Sequence, residues 1–501
     1  MRELLIAIAC AASIAGTLHS STNTQTAKPQ PVILKPCEVP EYSGKAQCGS
    51  YEVYENRAAR QGRKINLKIL VFPATGSERA ADPFVYIAGG PGSSATEDAP
   101  GIAQYFAKIN EHRDLVFVDQ RGAGGSHPLN CDFFNAADLQ SYFGYFFPLD
   151  DVRKCRGQLE RDADLTLYTT PIAADDLDEV RAALGYQQLN LFGASYGTRA
   201  ALIYLRRHPQ HVRTISLQGV SPPNQYMPRD FPQHTERALQ GILTECNEDE
   251  ACHLAFPNLR AEVSAVLERL LRGPVEVQVR SPGSSNIPTS DSTAKSDNRR
   301  KVKLSRELAA EAIRYMLYNP GAASQVPLVL HLAAQGDFVP LAEAALRYRL
   351  GIVATGSNGL YLSITCAEDL PWIKPGEGER LATSTFLGDY RLRQQREACA
   401  LWTRASIPGD YGDPVRGSAP VLILTGEWDP VTPPSNGEAV AAHLPNSLHV
   451  IVPHGAHGFS GLEGLDCVNR LQIDFVERGT VKGLDTSCVK SIRRRGFSLK
   501  R

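Results

Sequence analysis

The sequence predicts a mostly parallel, doubly wound α/β sheet, split by one large and mainly helical insertion. Three observations carry that reading. Short, wholly apolar stretches such as residues 115–118 alternate with helical patterns up to about residue 220, and runs of that length suit strands covered on both faces by helices. Between residues 221 and 417 the strand signal gives way to helical spacing. At residues 420–425 the apolar strands resume. The chain therefore divides into a first core segment (31–220), an inserted lid (221–417) and a second core segment (418–490).

Composition narrows the function classes. The 501 residues are 43% hydrophobic and 21% charged, enough to bury a large core, and this excludes a disordered or fibrous chain. Lys and Arg number 53 against 54 Asp and Glu, so no net field recruits nucleic acid, an anionic membrane or a polyanion. A small or neutral partner is expected. Residues 4–18 are apolar and small and follow Arg2, the pattern of a signal peptide ending near residue 20. Past Cys10, which lies inside that segment, ten cysteines remain, an even set that suits an exported, disulfide-bonded protein, periplasmic or extracellular. Sequence neighbours pair naturally as Cys37 with Cys48, Cys131 with Cys155, Cys246 with Cys252, Cys366 with Cys399 and Cys467 with Cys488, although spacing alone leaves the connectivity open. No Cys/His cluster suggests a metal and no cofactor motif is present.

In chain order, residues 31–62 read as a Pro- and Cys-containing lead-in, and residues 64–72 alternate like an antiparallel strand. Residues 82–88 form a strand that runs into Gly89-Gly90-Pro91-Gly92, a turn able to aim backbone amides into open space. The strand at 115–118 ends in Asp119-Gln120-Arg121-Gly122, where Asp119 and Arg121 read as an ion pair bracing the loop. Residues 171–184 are helical, with acids near the start where the helix dipole favours them. A strand from Leu189 then enters Gly193-Ala194-Ser195-Tyr196-Gly197, followed by a helix to about His208 and a strand at 212–220. Within the insertion, helices are expected at 232–245, 258–271, 305–317 and 326–335, with a flexible Ser/Pro/Asn-rich loop at 281–300 between two short strands. The strand at 420–425 leads to Gly426-Glu427-Trp428-Asp429, the strand at 448–452 to His454-Gly455-Ala456-His457, and a closing helix spans about 465–477.

Strand, sharp turn and helix around Ser195 make it the candidate nucleophile, because such a turn holds the hydroxyl above the sheet. A serine hydroxyl needs a base and a carboxylate to orient that base. Asp429 and His457 fill those roles: all three follow strands, where open α/β sheets place their sites, and their order is Ser, Asp, His. Glu427, on the same turn, is the alternative acid. His454 is the alternative base, disfavoured because it sits close to its strand end whereas His457 lies in a loop of small residues. The backbone amides of Tyr196 and Gly90 are the candidate oxyanion donors.

Taken together, Gly89-Gly90-Pro91-Gly92, Asp119-Gln120-Arg121-Gly122, Gly193-Ala194-Ser195-Tyr196-Gly197-Thr198 and Asp429-Pro430-Val431-Thr432-Pro433 resemble the secreted tripeptidyl aminopeptidase and proline iminopeptidase group of α/β-hydrolases. The resemblance covers residues 40–480, including Ile364-Thr365-Cys366-Ala367-Glu368-Asp369. It implies an α/β-hydrolase fold and exopeptidase action on short peptides, with Ser195 attacking a carbonyl near a free amino terminus. The substrate ammonium then requires a carboxylate, for which Glu368 and Asp369 in the lid are candidates. The Glu-rich lid signature of enzymes that release single prolines is not evident. A carboxylesterase or small-molecule amide hydrolase shares the triad chemistry and is the competing reading; a non-catalytic scaffold is opposed by the intact Ser195, Asp429 and His457.

Overall fold

A computed structural model describes residues 31–281 and 299–500; the expected signal peptide and all but the ends of the expected 281–300 loop lie outside the described residues. Nine strands form one sheet: β1 (Lys35–Val39), β2 (Tyr42–Tyr54), β3 (Lys64–Phe72), β4 (Phe84–Ile87), β5 (Leu115–Val118), β6 (Leu189–Ala194), β7 (Val212–Gln218), then, past the two-stranded hairpin β8 (Val275–Arg280) and β9 (Arg299–Leu304), β10 (Val421–Gly426) and β11 (Ser447–Val452). The sheet order is β1-β2-β3-β5-β4-β6-β7-β10-β11. The β1/β2, β2/β3 and β3/β5 pairs are antiparallel, and the six strands from β5 to β11 run parallel. It is an α/β-hydrolase fold: a largely parallel, helix-covered sheet.

Strand periodicity sorts the core into two layers. On β3, Ile65, Leu67, Ile69 and Val71 join a cluster with the helix Tyr196–Arg207, whereas Leu70 and Phe72 face the cluster that holds the helix Asp466–Arg478. Successive strand side chains point to opposite faces, so one sequence feeds both layers. The residues between β7 and β10 are mainly helical and have a core of their own around Leu239, Ile242, Leu308, Ile313 and Leu341.

Two departures from the sequence reading have physical causes. The lead-in at 31–62 is a hairpin, β1 with β2, and β2 is thirteen residues long. Its Lys, Gln, Ser and two Gly give little strand signal; the strand exists because Gln47 to Tyr54 pair in unbroken register with Val71 to Lys64, a tertiary effect that overrides propensity. The insertion also contains the helices Val339–Thr355, Asn358–Glu368 and Tyr390–Leu401, which are buried on several faces and so lack a clear apolar stripe.

All five cysteine pairs of sequence neighbours form disulfides: Cys37–Cys48, Cys131–Cys155, Cys246–Cys252, Cys366–Cys399 and Cys467–Cys488. Non-reducing peptide mapping of the purified protein is expected to recover these five linkages; any cross-pairing would contradict the fold described.

Candidate active site

The turn after β6 is built by exclusion of side chains. Ser195 has φ 55° and ψ −125°, a strained conformation for a residue with a Cβ and one concentrated at functional sites. A Cβ on Gly193 would lie 2.4 Å from the Gly197 carbonyl oxygen, and one on Gly197 would lie 2.1 Å from the Ile87 carbonyl oxygen. Both contacts are with backbone, which cannot step aside. The serine is pinned by its own main chain: its N–H donates to Gln218 O at 2.9 Å, and its carbonyl accepts from Thr198 N at 2.9 Å and Thr198 Oγ1 at 2.6 Å. Its side chain remains partly exposed.

Asp429 follows β10 and is fully buried. Its Oδ1 accepts from the N–H groups of Val431 and Thr432, both at 2.8 Å, and its Oδ2 accepts from Thr432 Oγ1 at 2.7 Å and His457 Nδ1 at 2.9 Å. Burial pushes this carboxyl up, but the charge and hydrogen bond of His457 and the bonds from Thr432 outweigh burial and hold it below the usual Asp value. An ionised carboxylate only accepts, which assigns the His457 proton to Nδ1 and leaves Nε2 with a free lone pair. Thr432 Oγ1 lies 3.0 Å from the same Nδ1, and the Tyr318 ring meets the imidazole edge-on with centroids 5.1 Å apart. Gly219 follows the Gln218 carbonyl that Ser195 uses, and a Cβ on it would approach Thr432 Oγ1 at 3.0 Å and His457 Nδ1 at 3.2 Å. Elbow and imidazole thus flank the same end of β7. No hydrogen bond joins Ser195 Oγ to His457 among the described residues.

The glycine loop after β4 passes over the serine: a Cβ on Gly89 would lie 3.3 Å from Ser195 Cβ and 3.9 Å from Oγ. Gly90 and Gly92 have φ of 107° and 109°, conformations glycine tolerates. Gly92 O accepts from Ser357 N at 3.0 Å, so the start of the insertion helix Asn358–Glu368 rests on this loop. Tyr196 N–H opens the helix Tyr196–Arg207, where an amide has no intrahelical acceptor.

The competing residues are engaged elsewhere. Glu427 Oε2 accepts from His454 N at 2.9 Å, and His454 Nδ1 meets Glu245 Oε1 at 2.7 Å. Arg494, near the chain's end, donates to Glu245 Oε2 at 2.6 Å and to His454 O at 3.3 Å, while Ser498 N reaches Ser324 O at 3.0 Å. Asp119 and Arg121 do not pair with one another as expected. Asp119 accepts from Ser94 Oγ, Thr96 N, Thr96 Oγ1 and Gly125 N, each at 2.9 Å, and Arg121 grips Asp176 at 2.5 and 2.9 Å. Asp119 is drawn to the hydroxyls and amides of the loop after β4 and Arg121 to the helix that carries Asp176, so each has a separate partner.

Glu368 and Asp369 are both fully buried. Glu368 accepts from Thr170 N at 2.6 Å, Thr170 Oγ1 at 2.7 Å and Tyr411 OH, and Thr170 Oγ1 also lies 2.7 Å from Tyr196 OH. Asp369 Oδ1 pairs with Arg199 at 2.8 Å, while its Oδ2 has no hydrogen-bond partner. Burial pushes the Asp369 carboxyl up to about 7, against the pull of Arg199. Arg199 in turn donates to Gln225 O at 2.5 Å, and Gln225 Nε2 to Val431 O at 2.7 Å, beside Asp429. Sequence reasoning missed Thr432, Thr170 and Gln225. Only Thr432 carried a signal, its place three residues after the candidate acid, where a hydroxyl can fold back on the carboxylate.

Residues 82–275 match the family described as "alpha/beta hydrolase fold", and residues 384–488 match "TAP-like protein". The first of these descriptions agrees with the fold of the sheet. The chain is 25% identical to serine protease Hip1 of Mycobacterium tuberculosis over 92% of its own length and 91% of that protein's. It is 33% identical to tripeptidyl aminopeptidase of Streptomyces lividans over 36% of each chain, and 26% identical to carboxylesterase B of Mycobacterium tuberculosis over 88% of its own length and 86% of the relative's.

Two substitutions probe the geometry. Gly197→Ala is expected to abolish soluble expression or lower the thermal midpoint by well over 5 °C, since a clash of this size costs several kcal/mol and about 1 kcal/mol shifts a domain of this length by a few degrees. Thr432→Val is expected to lower the thermal midpoint by several degrees and kcat on a nitrophenyl ester at least tenfold, because one hydrogen bond to a charged group is worth about 1.5–3 kcal/mol. Steady-state kinetics beside a melt separates the two effects.

Proposed function

We propose that this α/β-hydrolase is an exported serine aminopeptidase that releases short peptides from a free amino terminus through an acyl-enzyme. The observation that carries the reading is the His457–Asp429 hydrogen bond at the same end of β7 as a serine in a left-handed turn. On this reading His457 Nε2 takes the proton from Ser195 Oγ as that oxygen attacks the scissile carbonyl. Asp429 fixes the imidazole and stabilises the imidazolium. The amides of Tyr196 and Gly90 receive the oxyanion, and the leaving amine departs with the proton from His457. Water then repeats the sequence on the ester, with Ser195 as leaving group. Closing of the insertion over the site as a lid excludes bulk water and limits the substrate to short chains.

The peptide substrate is supported by the serine protease and tripeptidyl aminopeptidase relatives, and export by five disulfides, which persist in oxidising compartments. Asp369 Oδ2 is assigned the substrate ammonium, because it is the one oxygen of the two insertion carboxylates without a protein partner; Glu368 instead fixes the insertion to the core. The carboxylesterase relative supports ester hydrolysis as the second reading.

Paired nitroanilide peptides with free and acetylated amino termini, beside a nitrophenyl ester, decide between them. Aminopeptidase action predicts at least tenfold higher kcat/KM for the free peptide. Ester turnover without peptide turnover would establish the esterase instead. Ser195→Ala is expected to lose at least about 10⁴-fold in kcat, and fluorophosphonate labelling with it; full activity in that variant would end the triad assignment.

A further inference from the structure

Three arginines from three insertion helices converge in the interior: Arg314 on Arg306–Met316, Arg349 on Val339–Thr355 and Arg391 on Tyr390–Leu401. None is more than 4% exposed. Among the described residues, the one carboxylate in ion-pair contact with them is Glu311. Its Oε2 accepts from Arg314 Nε at 3.1 Å and Tyr348 OH at 3.0 Å, while its Oε1 stays 3.9 Å from Arg391 Nε with no hydrogen-bond partner. Guanidinium does not deprotonate in proteins. The cluster therefore holds two positive charges in excess, in a place where an unpaired charge is costly.

The excess is localised on Arg349 and Arg391. Arg349 donates Nη2 to Gly144 O at 2.9 Å, and Arg391 Nη2 reaches Tyr361 OH at 3.5 Å; the Nε and Nη1 of both are buried with no hydrogen-bond partner among the described residues. Both guanidiniums lie over the ring of Phe146, at 5.0 and 3.7 Å from its centroid, so the aromatic ring sets their spacing but supplies no anion. The cluster also adjoins the candidate active site: Arg314 donates to Tyr318 OH, and the Tyr318 ring packs on His457. Tyr361, beside Arg391, senses the charge of Asp369 as well.

We propose that Arg349 and Arg391 form a subsite for a carboxylate carried by the acyl part of the substrate, such as an acidic side chain near its amino terminus. The inference rests on the serine-hydrolase reading and adds a substrate class to it. Two guanidiniums with unpaired N–H groups can each donate to a carboxylate oxygen, and a carboxylate within the first three residues of a peptide lies within about 10 Å of the scissile bond when the chain is extended. A single formal negative charge halves the excess in the cluster, so an anionic acyl group gains where its neutral isostere leaves donors unpaired.

The test compares substrates that differ only in that charge: Glu-Ala-Ala- against Gln-Ala-Ala-nitroanilide and Ala-Glu-Ala- against Ala-Gln-Ala-nitroanilide with free amino termini, beside nitrophenyl monoesters of adipic acid and of hexanoic acid. The native enzyme is expected to favour the acidic member of at least one pair by tenfold or more in kcat/KM. In Arg391→Gln and Arg349→Gln that ratio is expected to fall below threefold, with Arg391→Lys intermediate. Equal or inverted preference in every pair on the native enzyme overturns the subsite, and so does a preference that survives both glutamine variants. If only the esters turn over, the aminopeptidase reading fails and the adipate/hexanoate ratio still decides the subsite. Because the first readout needs no variant, a misfolded substitution leaves the question answerable.

Discussion

The close approach of the helix Tyr196–Arg207 to β4 governs everything else in the molecule. Gly197 sits where any side chain would enter the Ile87 carbonyl, and that contact forces the chain to turn within one residue at Ser195. The left-handed serine goes with that packing: β6 ends at Ala194, the helix begins at Tyr196, and Ser195 alone makes the turn. Its strain is held by three main-chain hydrogen bonds and by the buried layers on both sides of the sheet. The glycine loop after β4 can then lie within van der Waals distance of the serine, because the strand that precedes it is the one the helix presses against.

Around that fixed point the insertion is tied to the core by buried polar groups. Glu368 reaches Thr170 and, through it, Tyr196; Asp369 reaches Arg199, Gln225 and the loop of Asp429. Glu368 and Asp369 therefore tie the insertion to the segments that carry Ser195 and Asp429. Ties of this kind are worth little as net stability but are expensive to break singly, since each removal leaves a buried partner unsatisfied. They favour one seating of the insertion over many loose ones.

Much of the core was legible from residues alone. The strands β5, β6 and β10 are continuous apolar runs that end in Gly, Ser, Asp or His, and that pattern located Ser195, Asp429 and the loop of His457 without coordinates. The partners of those residues were not legible. Asp119 and Arg121 looked like a pair because they are two apart, yet each bonds to an element more than 20 residues away. Glu368 and Asp369 looked like a free acidic pair, yet the helix that carries them is enclosed on all sides. Charge at a position is local information; its counter-charge is set by folding. The buried arginine cluster failed to register for the same reason, since Arg314, Arg349 and Arg391 lie on three separate helices that only folding brings together.

The end of the chain has one further consequence. Arg494 clamps the turn that leads into His457, and Ser498 reaches across to Ser324 of the insertion. One short stretch, residues 494–498, therefore braces both the turn before His457 and the insertion, so that loosening it would free two distant segments at once.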